Sequence, residues 1–195
     1  VVVRVTMSPI QTQWYEFRRE KERAKKTEKK ITTLEDAVKA DEDEISGNFR
    51  IYSRMAGNYG FPLDIQTLVP TGKREKDDVE YILEVLDSDP NEFFGTNLGI
   101  YSAKMDEIIN RMDYISDYEP EKDGGVFIYS NFREVEGVAI MGRALMHHGY
   151  TQYKLGDENK PDFQFDGRKY VILGEKDESK QSIIDVYNSR ANLFL

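Results

Sequence analysis

Apolar positions recur at helical spacing in several separated stretches. Ser8-Pro9 supplies a side-chain cap and a proline at the first helical position, and Gln13, Trp14 and Phe17 follow as anchors of a helix. Val79, Ile82, Leu83 and Leu86 share one face of a second helix, which Asp77 or Asp78 is placed to cap. Met105, Ile108, Ile109, Met112 and Ile115 mark a third helix, opened by Ser102. Val135, Val138, Met141 and Leu145 mark a fourth, stopped by Gly149. Ile183, Ile184 and Tyr187 mark a shorter last helix. Between these lie brief runs of strand character: "VVVRV" at the start, "VFIYS" at 126–130, "YTQYKL" at 150–155 and "KYVILG" at 169–174. "VFIYS" is nearly continuous in its apolar residues, the pattern of a strand covered on both faces.

This order divides the chain. From residue 99 onward, helix, strand, helix, strand, loop, strand and helix alternate. That alternation predicts an α/β layer with a mostly parallel sheet and flanking helices. Residues 1–98 are more helical and irregular, and read as a linker or insertion attached to that sheet. Within them, 16–44 is a charged segment. "EFRREKERAKKTEKK" carries eight basic and four acidic residues, and "EDAVKADEDE" carries six acids and one lysine. The basic run reads either as a solvated helix laced with i, i+4 ion pairs or as an arm that tracks phosphates. The acidic run reads as a surface loop that repels nucleic acid and screens the basic run.

Composition narrows the chemistry. The net charge of −9 excludes a uniformly basic nucleic-acid coat, while leaving room for a local patch. Cysteine is absent, so there is neither a disulfide framework nor a thiolate metal site. The two histidines, His147 and His148, are adjacent, so on a helix they point about 100° apart and do not form a two-ligand face. No apolar run approaches the roughly 20 residues of a membrane-spanning helix. There is no G-x-x-x-x-G-K-[ST] phosphate loop, no G-x-S-x-G elbow, and no carboxylate pair marked out by spacing. Both ends read as internal to a longer protein.

The remaining candidate is the polar turn that closes "GGVFIYSNF". Ligands of open α/β sheets bind beyond the carboxyl ends of strands, and a following helix N-terminus favours an anion such as phosphate. Ser130 and Asn131 occupy such an end. Ser130 either touches a ligand or merely caps the next helix.

"YSAKMDEIINRM", "GGVFIYSNF", "MHHGYTQYKL" and "YVILGEKDESKQSIIDVYN" together resemble, in order and spacing, the opening of the C-terminal lobe of superfamily-2 helicases of the Swi/Snf-like type. Lys180, Ile183, Ile184, Tyr187 and Asn188 fit the later helix of that lobe. "MSPIQTQWYEFRREKERAKK" and "FRIYSRMAGNYGFP" resemble helicase-type ATPases of large nucleocytoplasmic DNA viruses, including poxvirus-like nucleoside triphosphate phosphohydrolases and early transcription factor small subunits. There an R-x-x-S-R-x-x-x-N-x-x-x-P segment leads into the second lobe. Here it runs from Arg50 through Ser53, Arg54 and Asn58 to Pro62.

The resemblance implies a partial RecA-like C-terminal lobe at 99–195, preceded by the helical linker. It implies a parent that hydrolyses ATP with magnesium and moves along nucleic acid, DNA rather than RNA. The parent would serve viral transcription or DNA processing, in the virion or the reducing cytoplasm of the host, with viral transcription machinery as a partner and no membrane. The phosphate loop and magnesium carboxylates would lie before residue 1 and the arginine finger beyond Leu195, so by this resemblance the chain alone would hold neither ATP nor magnesium and should be catalytically silent. By carry-over, Ser130, Asn131 and Phe132 are the nucleic-acid contacts, with Ser102 and Lys104 as further candidates. Arg18, Arg19, Lys25 and Lys26 of the basic run would add salt-dependent grip. A non-catalytic docking module of a viral transcription or packaging assembly is the alternative.

Overall fold

The computed structural model describes residues 2–28, 50–69, 75–118, 126–133, 135–154, 156, 168–173 and 180–188. Most of the described residues are helical. In order run α1 (Pro9–Glu28), α2 (Ile51–Ala56), α3 (Leu63–Gln66), α4 (Lys76–Asp87), α5 (Pro90–Phe94), α6 (Leu98–Tyr101), α7 (Ala103–Tyr118) and α8 (Val138–His147). Strands β1 (Thr151–Gln152) and β2 (Lys169–Tyr170) follow, then α9 (Lys180–Asn188).

The capping residues act locally as their chemistry dictates. Ser8 Oγ accepts from Gln11 N at 3.0 Å, and Ser102 Oγ accepts from Met105 N at 3.2 Å. Helix α4 starts at Lys76, with Asp78 Oδ2 accepting from Glu75 N at 2.9 Å, so the acidic residue reaches back rather than standing as the cap itself. Gly149 adopts φ 85°, a left-handed turn that ends α8 without a Cβ penalty.

The expected α/β lobe with a mostly parallel sheet is not what forms. Among the described residues, strand is confined to β1 and β2, paired in parallel with Thr151 opposite Lys169 and Gln152 opposite Tyr170. This is a two-stranded patch at the side of a helical body, not a RecA-like layer. The predicted first central strand, 126–130, has irregular backbone and no ladder partner among the described residues. It is exposed rather than covered on both faces. The stretch 2–7, also expected as a strand, is irregular. A short apolar run does not distinguish a sheet strand from a segment laid on a helical surface, and here helices take the interior.

One core runs through the helices. Trp14, Tyr59, Phe61, Ile82, Leu86, Phe94, Leu98, Ile109, Ile140 and Ala144 are all fully buried or nearly so. Aromatic rings dominate its centre: Trp14 meets Phe61 edge-on at 6.1 Å, and Tyr59 packs on both Phe61 and Tyr101. Polar groups join the segments around it. The buried amide of Gln11 donates to the carbonyls of Ala56 and Gly57, and its oxygen accepts from Ala103 N. Ser102 donates to the carbonyl of Asn58, and Ser8 to that of Ile100. Gly60 sits so close to α1 that a Cβ there would lie 2.7 Å from Gln11 Cα. Arg143 forks onto Asp87 at 2.7 and 2.9 Å and ties α8 to α4.

Candidate nucleic-acid interface

The structure brings two of the singled-out segments together. Helix α2 carries Ser53 and Arg54 of the linker pattern, with Arg50 just before it, and the exposed Arg54 guanidinium lies 5.6 Å from the centre of the Phe132 ring. A cleft of about 220 Å³ opens between them. Ile51 and Met55 of α2 line one side, and residues 131–133 with Val135 and Glu136 line the other.

Helix α2 is held in place from α1. Glu22 Oε1 accepts from Tyr52 N at 2.9 Å and Ser53 N at 3.0 Å, while Oε2 accepts from Ser53 Oγ at 2.8 Å. A carboxylate is thus supplied to the first turn of α2, where orphan amides and the helix dipole favour negative charge. Arg50, just before the helix, takes a left-handed φ of 56°. That conformation is uncommon outside glycine, and the surrounding bonds hold it: its carbonyl accepts from Arg54 N and Ser53 Oγ.

The turn at 130–133 is pinned from the other side. Val138 N donates to the carbonyl of Phe132 at 3.0 Å, and Ala139 N to that of Arg133 at 3.1 Å. Carbonyls of the turn therefore satisfy the first amides of α8, the service expected of Ser130 as a cap. Ser130 instead bonds within the turn, accepting from Phe132 N at 3.1 Å and lying 3.0 Å from its carbonyl. Asn131 is exposed, and its Oδ1 accepts from Tyr129 OH at 2.6 Å. Gly137 has no room for a side chain, since a Cβ would fall 1.8 Å from the Phe132 carbonyl oxygen.

The other carried-over contacts sit elsewhere. Ser102 is fully buried, donating to the Asn58 carbonyl and capping α7, so its hydroxyl serves the interior. Lys104 Nζ donates to Asn58 Oδ1 at 2.7 Å, and desolvation lowers its pKa from the ordinary lysine value. Arg18, expected on a solvated or phosphate-facing surface, is only 2% exposed. Its guanidinium stacks 4.2 Å over Trp14 and lies 5.9 Å from Tyr52. Arg19 pairs with Glu22 at 3.6 Å. Lys25 and Lys26 fall within the span of α1, but their side chains lie outside the described residues, as does the acidic run 35–44.

Sequence reasoning passed over three residues beside the turn. Phe127 is 82% exposed, Tyr129 is 73% exposed, and Arg133 is exposed two positions past Asn131. The signal was the period-two alternation inside "VFIYSNFR", hidden by reading the apolar run as buried.

The chain has no phosphate-loop lysine, and among the described residues no group of three or more His, Asp or Glu side chains could hold a metal ion. No described helix is long and apolar enough to cross a membrane. No protein-family model, no curated protein and no solved structure matches the chain.

Proposed function

We propose that the chain is a non-catalytic segment of an ATP-driven nucleic-acid helicase or translocase of the large-DNA-virus kind, and that it contacts the nucleic-acid backbone at the rim of the α2 cleft. The observation that carries this reading is the meeting of Arg54 with Phe132. The linker pattern and the 130–133 turn were linked only by resemblance, and in the fold they form one surface. The grip falls to exposed Arg54, Asn131 and Arg133. Ser102 and Arg18, both turned inward, serve the fold that presents them. The parent's work in viral transcription or DNA processing, and its use of ATP and magnesium, belong to the same proposal.

The test is binding of the 195-residue chain to short single- and double-stranded DNA across a salt series. Each phosphate contact contributes a slope of about −0.7 on single strands and −0.9 on duplex in log K against log salt. Arg54→Ala is expected to weaken binding and flatten the slope by about one contact. Ser130→Ala, whose hydroxyl is engaged within the turn, changes affinity little. Absence of salt-dependent affinity at low salt overturns the proposal, and ATP hydrolysis by the chain alone contradicts its non-catalytic part. A docking module is the second reading, favoured by the exposed apolar side chains of Val126–Tyr129.

A further inference from the structure

The segment leading into the turn has two faces. Val126 is 50% exposed and Ile128 36%, against 82% for Phe127 and 73% for Tyr129. The alternation continues beyond them. Ser130 and Phe132 are half-buried, whereas Asn131 and Arg133 are exposed. The more exposed residues, Phe127, Tyr129, Asn131 and Arg133, thus come at every second position and form an outward row. The Tyr129–Asn131 hydrogen bond, between residues two apart, joins neighbours of that row. Two aromatic rings, an amide and a guanidinium thus follow one another in the open.

We infer that this row is a stacking platform for unpaired bases, so that the site takes single-stranded rather than duplex nucleic acid. The inference rests on the function proposed above and names its substrate. Aromatic faces accept any base, and a cation at the end of the row meets the phosphate chain. In duplex DNA the faces of the bases are already stacked on one another and are closed to such a platform. Glu136, the acidic residue of the neighbouring cleft, is 1% exposed and adds no carboxylate to the outward row. Arg54, beside Phe132, adds a second cation.

The test uses the whole chain with single-stranded oligonucleotides, the same sequences as duplexes, and an abasic strand of equal length. Phe127→Ala and Tyr129→Ala are each expected to weaken single-strand binding roughly fivefold to a hundredfold, with the salt slope unchanged. Phe127→Tyr and Tyr129→Phe, which keep the rings, retain it. The abasic strand binds the native chain no better than it binds the alanine variants, and a 2-aminopurine base is quenched on binding the native chain. Both side chains are exposed, so the variants fold, as circular dichroism would verify. Salt-dependent binding that ignores the alanine substitutions, or that is equally strong for the abasic strand, overturns the stacking platform and leaves the backbone grip standing. No salt-dependent binding to any strand removes the grip and the platform together. Alanine variants that lose self-association while keeping their DNA affinity make the row a protein contact and overturn the inference.

Discussion

Glu22 offers the most direct test of how α2 is positioned. Its carboxylate receives two backbone amides and a hydroxyl from the first turn of a helix that begins 29 residues later in the chain. Hydrogen bonds to a charged group contribute about 1.5–3 kcal/mol each when buried. The three do not simply add, because the Glu22 side chain is 14% exposed and Tyr52 N can turn to water. Ser53, 1% exposed, loses the acceptor of its backbone amide, while its hydroxyl keeps the Arg50 carbonyl 3.2 Å away. An orphaned buried group costs about 1–3 kcal/mol, and loss of the negative charge at the helix start adds about 0.3–1 kcal/mol. Glu22→Ala should therefore destabilise by about 1–4 kcal/mol. Glu22→Gln keeps an acceptor for the amides, and Ser53 Oγ can still donate to the Arg50 carbonyl, so its cost is about 1–2 kcal/mol. Urea unfolding followed by tryptophan emission is the assay. Trp14 is the single tryptophan, and it lies under Arg18, whose guanidinium also reaches the Tyr52 ring. For a chain of this length the alanine variant should melt roughly 2–16 °C lower. If both variants unfold within about 0.5 kcal/mol of the native chain, Glu22 does not hold α2 and the argument fails.

Other expectations follow from equally local geometry. Gly137→Ala forces the Phe132 carbonyl away from α8, so thermal melting should show a loss of about 1–3 kcal/mol and DNA binding should weaken with it. The side chains of Tyr101 and then Asn97 hydrogen-bond Glu92 and lower its carboxyl pKa. The resulting stability is fully present above the ordinary glutamate range and is lost as pH falls through the lowered folded value. Tyr101→Phe should flatten that acid limb in urea midpoints taken between about pH 3 and 6. Burial, then the charges of Tyr101 and Glu92, hold the Tyr59 hydroxyl well above its ordinary pKa. Stability should fall as pH rises past about 10, where the unfolded tyrosine ionises and the folded one does not, visible as alkaline unfolding that precedes Tyr59 ionisation. A double-mutant cycle on Arg143 and Asp87 should give a coupling of about 0.5–1 kcal/mol, because both side chains are partly exposed despite the forked geometry.

The helices were legible because their signals are local. Val79, Ile82, Leu83 and Leu86, and then Met105, Ile108, Ile109 and Met112, carry their period in the sequence itself, and Ser8 and Ser102 announce their caps. The strands were not legible. Pairing is a long-range event, and "VFIYS" looks the same whether sheet neighbours cover it or it lies on a helical surface. Arg18 shows a different limit. In a run of eight basic residues nothing marks one of them as buried, and only the positions of Trp14 and Tyr52 in the fold turn it inward. Ser102 was identified as a cap and also carried over as a nucleic-acid contact. Its burial beneath Asn58 makes it a structural hydroxyl. The candidate site was half legible: Asn131 and Phe132 could be named from the sequence, while Arg54 as their neighbour required the fold.

The joint around Gln11 has a consequence for how the chain is made. Its amide reaches residues 45, 46 and 92 positions away, and the Ser8 hydroxyl reaches residue 100. A helical protein usually folds quickly through near-neighbour contacts, but these bonds close only when the ends of a hundred-residue span meet. During synthesis α1 leaves the ribosome long before Ala103 exists to satisfy it. The Gln11 oxygen and the Ser8 hydroxyl therefore wait several seconds for their partners at ordinary elongation rates of roughly 5–20 residues per second. Docking of α1 onto α2 can begin once residue 57 is made, but the joint at its amino-terminal end closes only when Ile100 and Ala103 arrive.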